Sequence, residues 1–368
     1  MQKLPTILLG CFTVPVHFSS SIQNHLKSAG IIYDIILMGC DKRNMKKAQI
    51  DYIEISTNIL KKFESRLHFD IYVQRTATDY TKIFKINDTI DWDRLASYEK
   101  KGVKSIFVPQ DQYGKYLLFV EVLVDKLLSS SNVSAFKEGV TIVKEMINGC
   151  LVEFLSRDIV SETMALQASK TVSSCIEVMD KDTGALTKII GQMVTKPYLF
   201  KHSVTVSLLS ILLARGSGIE SNSTLNIIGL GGLLHDIGIS RLSFDPEDKQ
   251  QMTPEEQKEM WRHPEIGKRL LDPVKSMRTE ILDIVLQHHE QPNGHGYPNG
   301  LRTAEIFLPA KIVSIADTFS AMIIKRSYRE EYTTFEAINR MKNDVGKFDK
   351  SLLLNFEKII LGSKKEDS

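Results

Sequence analysis

The sequence predicts an α+β protein, with a small mixed α/β domain at the N-terminal end and an all-helical bundle after it. Apolar runs of strand length are confined to about the first 125 residues; beyond that point apolar residues recur at helical spacing. Six of the nine histidines, His202, His235, His263, His288, His289 and His295, fall in the helical part, a clustering that needs a cause.

Taken in order, residues 1 to about 50 read only loosely as α/β. The opening "MQKLPTILLGC" has the Leu-Leu-Gly-Cys of a lipoprotein signal, but its apolar run is too short for an h-region, and a first β-strand is the better expectation. "FDIYVQ" (69–74) and "TKIFKI" (81–86) read as strands joined by a polar turn. "DWDRLASYEKKG" (91–102) reads as a short helix, with acids in its first turn, Lys100 and Lys101 in its last and Gly102 beyond its end. "VKSIFV" (103–108) follows as another strand. Residues 1–125 form the expected N-terminal domain, best defined over 51–120, and 126–194 a helical connector leading into the bundle of 195–368. Within the helical part, Thr253 is the expected N-cap of "TPEEQKEMWRH", with Pro254 in the first position, and Thr333 and Glu336 stand at capping-box spacing.

Composition narrows the function classes. Hydrophobic residues make up 42% of 368, ordinary for globular domains, and a formal charge of +2 leaves no broad footprint for duplex nucleic acid or an anionic membrane. No apolar run approaches the roughly 20 residues needed to span a bilayer. Cys11, Cys40, Cys150 and Cys175 lack metal-ligand or redox spacing, as expected of reduced thiols in a cytoplasmic protein.

The histidines sit in distinct contexts: "FKHSV", "LLHDIG", "WRHPEIG", "LQHHE" and "GHGYP". Asp317 in "SIADTF" interrupts an apolar helix and would be poorly solvated unless paired or bound to a cation. Neighbouring residues on a helix can converge on a metal lying between them, and a carboxylate beside a histidine, as in His235 and Asp236, can bridge two cations. Singly these features have plainer readings. Asp317 could be a salt-bridged acid, His295 an exposed loop residue, and "GHGYP" only a tight surface loop in which Gly294, Gly296 and Gly300 permit sharp turns.

Taken jointly, the order H, HD, H, HH, D with "GYP" behind the pair resembles the HD-GYP family of the HD phosphohydrolase superfamily. "HSVTV", "LLHDIG", "HPEIGKRLL", "HHEQPNGHGYPNGL", "AKIVSIADTF" and "RSYR" carry the resemblance over about residues 195–360. It implies an HD-type helical bundle and a cyclic di-GMP phosphodiesterase holding two divalent metal ions, iron or manganese. The ligands it implies are His202, His235, Asp236, His263, His288, His289 and Asp317, with Asp236 as the catalytic bridge between the metals and a hydroxide. Members with a third metal have a glutamate four residues before the first histidine; Tyr198 stands there, so two metals are expected. Tyr297 and Pro298 offer a rigid apolar face for a guanine or a partner domain. Arg326 and Arg329 are candidate phosphate contacts or else solvated charges.

Three positions depart from the family pattern. "HDIGK" reads "HDIGI", which puts Ile239 where a substrate-facing lysine is usual; Ser320 replaces a common aspartate; "RPYR" reads "RSYR". These leave two expectations open. One is a bacterial signalling enzyme that opens cyclic di-GMP, or a related cyclic dinucleotide, to linear pGpG and onward to GMP, controlled by its N-terminal domain. The other is a degenerate HD-GYP domain that binds a cyclic dinucleotide or a protein such as a GGDEF-type diguanylate cyclase with little turnover. A homodimer is compatible with both. An HD enzyme for unrelated phosphate esters is disfavoured by "GYP".

Overall fold

The computed structural model describes residues 7–9, 12–14, 52–62, 66–76, 79–103, 105–156, 159–182, 184–185, 198–326 and 329–362, and among these described residues strands occur only at the N-terminal end. Cys11, Cys40, nearly all of the loosely assigned stretch 1–50, and Ser327 and Tyr328 of "RSYR" lie outside the described residues. β1 (Ile7–Leu9) and β2 (Phe12–Val14) pair antiparallel, with Ile7 opposite Val14. The strand expected in "PTILLG" is therefore present.

From Tyr52 onward the chain is one unit. It begins with β3 (Tyr52–Ile55), the short helix α1 (Thr57–Leu60), β4 (Ile71–Thr76), β5 (Asp79–Phe84), α2 (Trp92–Lys100) and β6 (Ile106–Pro109). The four strands form an antiparallel sheet in the order β3-β6-β4-β5. All four residues of β6 are buried, as suits a central strand.

The strands are displaced from expectation: β4 and β5 by two residues at each end, and β6, expected over 103–108, to Ile106–Pro109; two of these shifts have local reasons. β4 starts at Ile71 rather than Phe69 because Asp70 turns its backbone N–H to the Gln112 side chain, 2.7 Å away, instead of to the ladder. β5 stops at Phe84 because a turn follows in which Asp88 accepts from the Lys85 N–H and Asn87 has φ of +72°. β3 was not foreseen: at four residues it is too short for alternation to show. α2 matches its reading, with the Asp91 side chain accepting from the Arg94 N–H at 2.9 Å and Gly102 beyond the C-terminus at φ +88°.

Helices follow to the end of the described chain: α3 (Gln110–Ser129), α4 (Val133–Ser156), α5 (Glu162–Lys181), α6 (Tyr198–Gly216), α7 (Asn222–Leu234), α8 (Pro254–Met260), α9 (His263–Leu271), α10 (Thr279–Gln287), α11 (Leu308–Ile323), α12 (Thr334–Asn343) and α13 (Lys350–Leu361). Two 3-10 turns, Ile237–Arg241 and Pro246–Asp248, lie between α7 and α8. α8 and α12 start with complete capping boxes, Thr253 with Glu256 and Thr333 with Glu336.

α3 runs through position 125. Its buried stripe, Tyr113, Tyr116, Val120, Val124 and Leu128, joins the sheet's Ile53, Ile71 and Val108 to the bundle in one continuous core that ends at Phe356. α6 lies centrally, packed against α7 and α11, and His202 to Leu208 are buried without interruption. Cys150 and Cys175 are buried free thiols, and burial pushes the Cys175 thiol up to about 12. Among the described residues no helix is long and apolar enough to cross a membrane.

Candidate metal centre

Helix ends deliver most of the site. His202 projects from the first turns of α6, while His235 occupies the C-cap of α7 with Asp236 directly after it. His263 opens α9, His288 is the C-cap of α10 with His289 beyond, and Asp317 comes from the middle of α11. The two adjacent pairs thus sit where helices stop, not on helical faces as the sequence had suggested. At a terminus consecutive side chains are free of the 100° stagger and can reach opposite sides of one cavity.

Three imidazoles are oriented in the same way. The Nδ1 atoms of His235, His263 and His288 lie 2.7, 2.8 and 2.7 Å from the carbonyl oxygens of Gly232, Met260 and Val285, each three residues earlier. A carbonyl only accepts, so each Nδ1 carries a hydrogen and each Nε2 points inward, with its lone pair exposed there whenever the ring is neutral. His202 differs: its Nδ1 faces the Ser320 hydroxyl at 3.1 Å and the Tyr198 hydroxyl at 3.3 Å. Ser320, singled out as a departure, therefore touches a candidate ligand directly.

The inward atoms form two nests. The Nε2 atoms of His202 and His235 are 3.3 Å apart, and those of His263 and His288 3.1 Å. Asp236 lies between the nests. Its Oδ2 is 3.2 Å from His235 Nε2 and 3.6 Å from His202 Nε2, and its Oδ1 is 3.1 Å from His263 Nε2 and 3.7 Å from His288 Nε2. Asp317 adds Oδ1 at 3.1 Å from His202 Nε2 and Oδ2 at 3.8 Å from His289 Nδ1. All seven residues expected as ligands are thus brought together, and the ligand atoms group as His202, His235, Asp236 and as Asp236, His263, His288, His289, sharing Asp236.

Electrostatics give the cluster a reason to hold cations. Burial raises the Asp236 carboxyl, but the facing His235 charge and the close His235, His263 and His288 rings outweigh it and hold Asp236 well below the usual carboxylate range. Asp317 is likewise low: burial opposes ionisation, and His202, His289 and His235 overcome it. Burial lowers His235, yet Asp236 lifts it to about 9. Burial keeps His288 and His289 low and so neutral. Where the rings are neutral, facing Nε2 lone pairs repel in a buried site; at His235 a proton beside Asp236 stands where an ion could, and two ionised carboxylates repel each other, so divalent cations would reverse these terms. The donor set of imidazole and carboxylate fits such ions.

A cavity of about 370 Å³ opens onto the cluster. Tyr198, Ile239, Tyr297 and Arg326 line it. The Tyr297 ring packs 4.7 Å from His289, and Pro298 follows through a cis peptide bond without reaching the cavity wall. Arg326 lies over the Tyr198 ring at 4.3 Å, donates to its hydroxyl, and pairs with Glu247 at 3.5 Å. Arg329 is placed elsewhere, donating to the Ala321 carbonyl near the end of α11 and lying over Tyr332. His295 is exposed, as its loop position suggested.

Glu290 was quoted in "HHE" without a role. Buried, it accepts from the backbone N–H of Asn299 at 2.6 Å and of Leu301 at 2.8 Å, pinning the far end of the loop that carries Tyr297. Gly296 makes that path possible, since a Cβ there would come within 2.5 Å of His289 O.

This geometry agrees with what the chain resembles. Residues 193–352 match the family described as HD domain. Over 194 residues the chain is 32% identical to the cyclic di-GMP phosphodiesterase PA4108 of Pseudomonas aeruginosa, covering 52% of this chain and 47% of that protein. A cyclic di-GMP phosphodiesterase of Thermotoga maritima is 34% identical, covering 40% of each chain.

Residues 193–352 thus resemble an HD domain of the HD-GYP type.

A 3'3'-cGAMP-specific phosphodiesterase of Vibrio cholerae is 32% identical to this chain, covering 40% of it and 34% of that protein. The chain spans less than half the length of these curated relatives. Among solved structures, the HDG"Y"P protein Bd1817 of Bdellovibrio bacteriovorus shares the fold, with a TM-score of 0.57 at 22% identity over 85% of this chain and all of that one. That coverage extends the likeness N-terminal to the HD domain.

Proposed function

We propose that the chain is a metal-dependent phosphodiesterase that opens cyclic di-GMP, or a closely related cyclic dinucleotide, to the linear dinucleotide and onward to the mononucleotide. One observation carries the reading: Asp236 aims one carboxylate oxygen at each of two imidazole pairs. His202, His235, Asp236 and Asp317 would hold one divalent ion, and His263, His288, His289 and Asp236 the other, with iron or manganese the expected metal. When bound, such a pair supplies a nucleophile from water at neutral pH and neutralises charge developing on the phosphoryl oxygens.

The chain's own groups do the remaining work. The hydrogen bonds from Nδ1 to backbone carbonyls orient the imidazoles before any ligand arrives. Arg326, on the cavity wall beside Tyr198, offers a guanidinium to a phosphate, and Tyr297 offers a ring face to a base. The relatives' names support a cyclic dinucleotide as substrate. The N-terminal α/β part, sharing one core with the bundle, is assigned a regulatory role, and the protein a cytoplasmic location.

A second reading, a binding module with little turnover, has specific support in Ile239 on the cavity wall and in a neutral Ser320 against His202. The two part on one experiment. Protein purified anaerobically and loaded with Fe(II) or Mn(II) is expected to convert cyclic di-GMP to linear product, and Asp236→Ala to lose at least a thousandfold of that rate, in line with removal of shared transition-state stabilisation. Metal-loaded wild type that binds the nucleotide without turnover would favour the module.

A further inference from the structure

The cavity over the ligand cluster has to receive an anion, yet its wall is largely acidic or apolar. Besides Asp236 and Asp317 it carries Asp245 and Glu247, with Ile239 and Met252 on its apolar side. Among the described lining residues, the permanent cations are Arg326 and Lys347. Arg326 is fixed in place on the Tyr198 side of the cavity, stacked on that ring and paired with Glu247, so it can serve one phosphate there and not a second one elsewhere. Lys347 is held more loosely. Its ammonium makes a 3.5 Å contact with Asp344, whose side chain is 52% exposed, and lies 5.3 Å from the Phe348 ring; a water-screened pair and a single ring contact of this kind are given up at little cost.

The backbone under Lys347 is nonetheless fixed. The Asn293 N–H donates to Gly346 O at 3.0 Å, tying this turn to the loop that carries Tyr297. Gly346 has φ of +83°, which glycine adopts without strain. On the other side Phe348 is buried, and the Asp349 side chain caps α13 by accepting from the Ser351 and Leu352 N–H groups. Lys347 thus pairs an anchored backbone with an ammonium free to exchange its partner, on the wall of a cavity otherwise short of positive charge.

A cyclic dinucleotide carries two phosphodiesters. The metal cluster and Arg326 attend to the one that is cleaved; the other enters the same cavity and needs a counter-charge. We propose that Lys347 binds this second, unreacting phosphate and so selects for a substrate with two phosphodiesters. The inference rests on the reading of the site as one for cyclic dinucleotides. A contact with a group that does not react stabilises ground and transition states alike, so it acts on binding and not on turnover.

The test uses Mn(II)-loaded full chain as wild type, Lys347→Gln and Lys347→Arg, with cyclic di-GMP and with bis(p-nitrophenyl) phosphate, which has a single phosphodiester. For cyclic di-GMP, Lys347→Gln is expected to raise Kd and KM about ten- to a hundredfold, the usual loss for a charge-assisted hydrogen bond, with kcat within about twofold. Lys347→Arg should keep most of the affinity, and the single-phosphodiester probe should be cleaved equally by all three. Unchanged Kd and KM in Lys347→Gln, or an equal loss on the probe, overturns the inference and leaves hydrolysis standing. Lys347-dependent binding without wild-type turnover supports it while sinking the hydrolase reading; wild type that binds no cyclic di-GMP sinks both.

Discussion

Glu290 follows the adjacent histidines directly, and both of its oxygens are taken by backbone N–H groups at the far end of the loop. A carboxylate accepts at both oxygens, whereas a carboxamide must turn its NH2 toward one of those donors. Glu290→Gln is therefore expected to cost about 1–3 kcal/mol, the penalty for an unsatisfied buried group, and to raise KM more than it lowers kcat. Urea unfolding and steady-state kinetics on the same variant check both parts. The seven candidate ligands were legible because chemistry restricts which residue types can bind metal and the order of their contexts is distinctive. Glu290 was not, since an acid in a polar loop looks the same whether it pins a backbone or faces water. Lys347 gave no signal either: it lies 30 residues beyond Asp317 and reaches the cavity only through the folded turn at Gly346.

Elements position the candidate ligands through close contacts as much as through helix ends. The 3-10 turn after Asp236 presses against the start of α9 at Gly238, where a Cβ would lie 2.1 Å from His263 O. Backbone cannot yield as a side-chain tip can, so Gly238→Ala must move His263 relative to Asp236 and separate the two nests. The expected result is a loss of about 1–3 kcal/mol of stability, typical of overpacking, with a larger fractional loss of metal affinity, read by calorimetric titration. Helix starts were readable because caps are local: Thr253 and Thr333 need only a glutamate three residues on. Strand ends were less so. Asp70 ended the ladder early by bonding to Gln112, 42 residues away, a competition that no sequence window contains.

At the scale of the molecule, sheet and bundle share one hydrophobic core through α3, so damage in the sheet is felt as a loss of stability in the whole cooperative unit. Asp70 offers a measure. Burial raises its carboxyl, but Lys82 at 2.6 Å, the Ile86 N–H and Gln112 together hold it below the ordinary value. A group depressed in the folded state contributes stability above its unfolded pKa, about 3.9, and loses it as pH falls through the folded value. Asp70→Asn should therefore be less stable than wild type at pH 7, and the gap should close below about pH 4; urea melts across that range would show it, and a constant gap would refute the assignment.

The hydrogen bonds from His235, His263 and His288 to the backbone carbonyls three residues earlier also decide when the ordering entropy of these candidate ligands is lost. Each imidazole is immobilised as its helix closes, so the conformational penalty falls on folding, and an arriving ion meets a cage already set. A cage of this kind discriminates by radius and geometry, because it cannot relax around a misfit. It also uncouples metal from architecture: a chelator should strip the chemistry and leave the helices standing, unlike a zinc finger, whose ligands are ordered only by the metal itself.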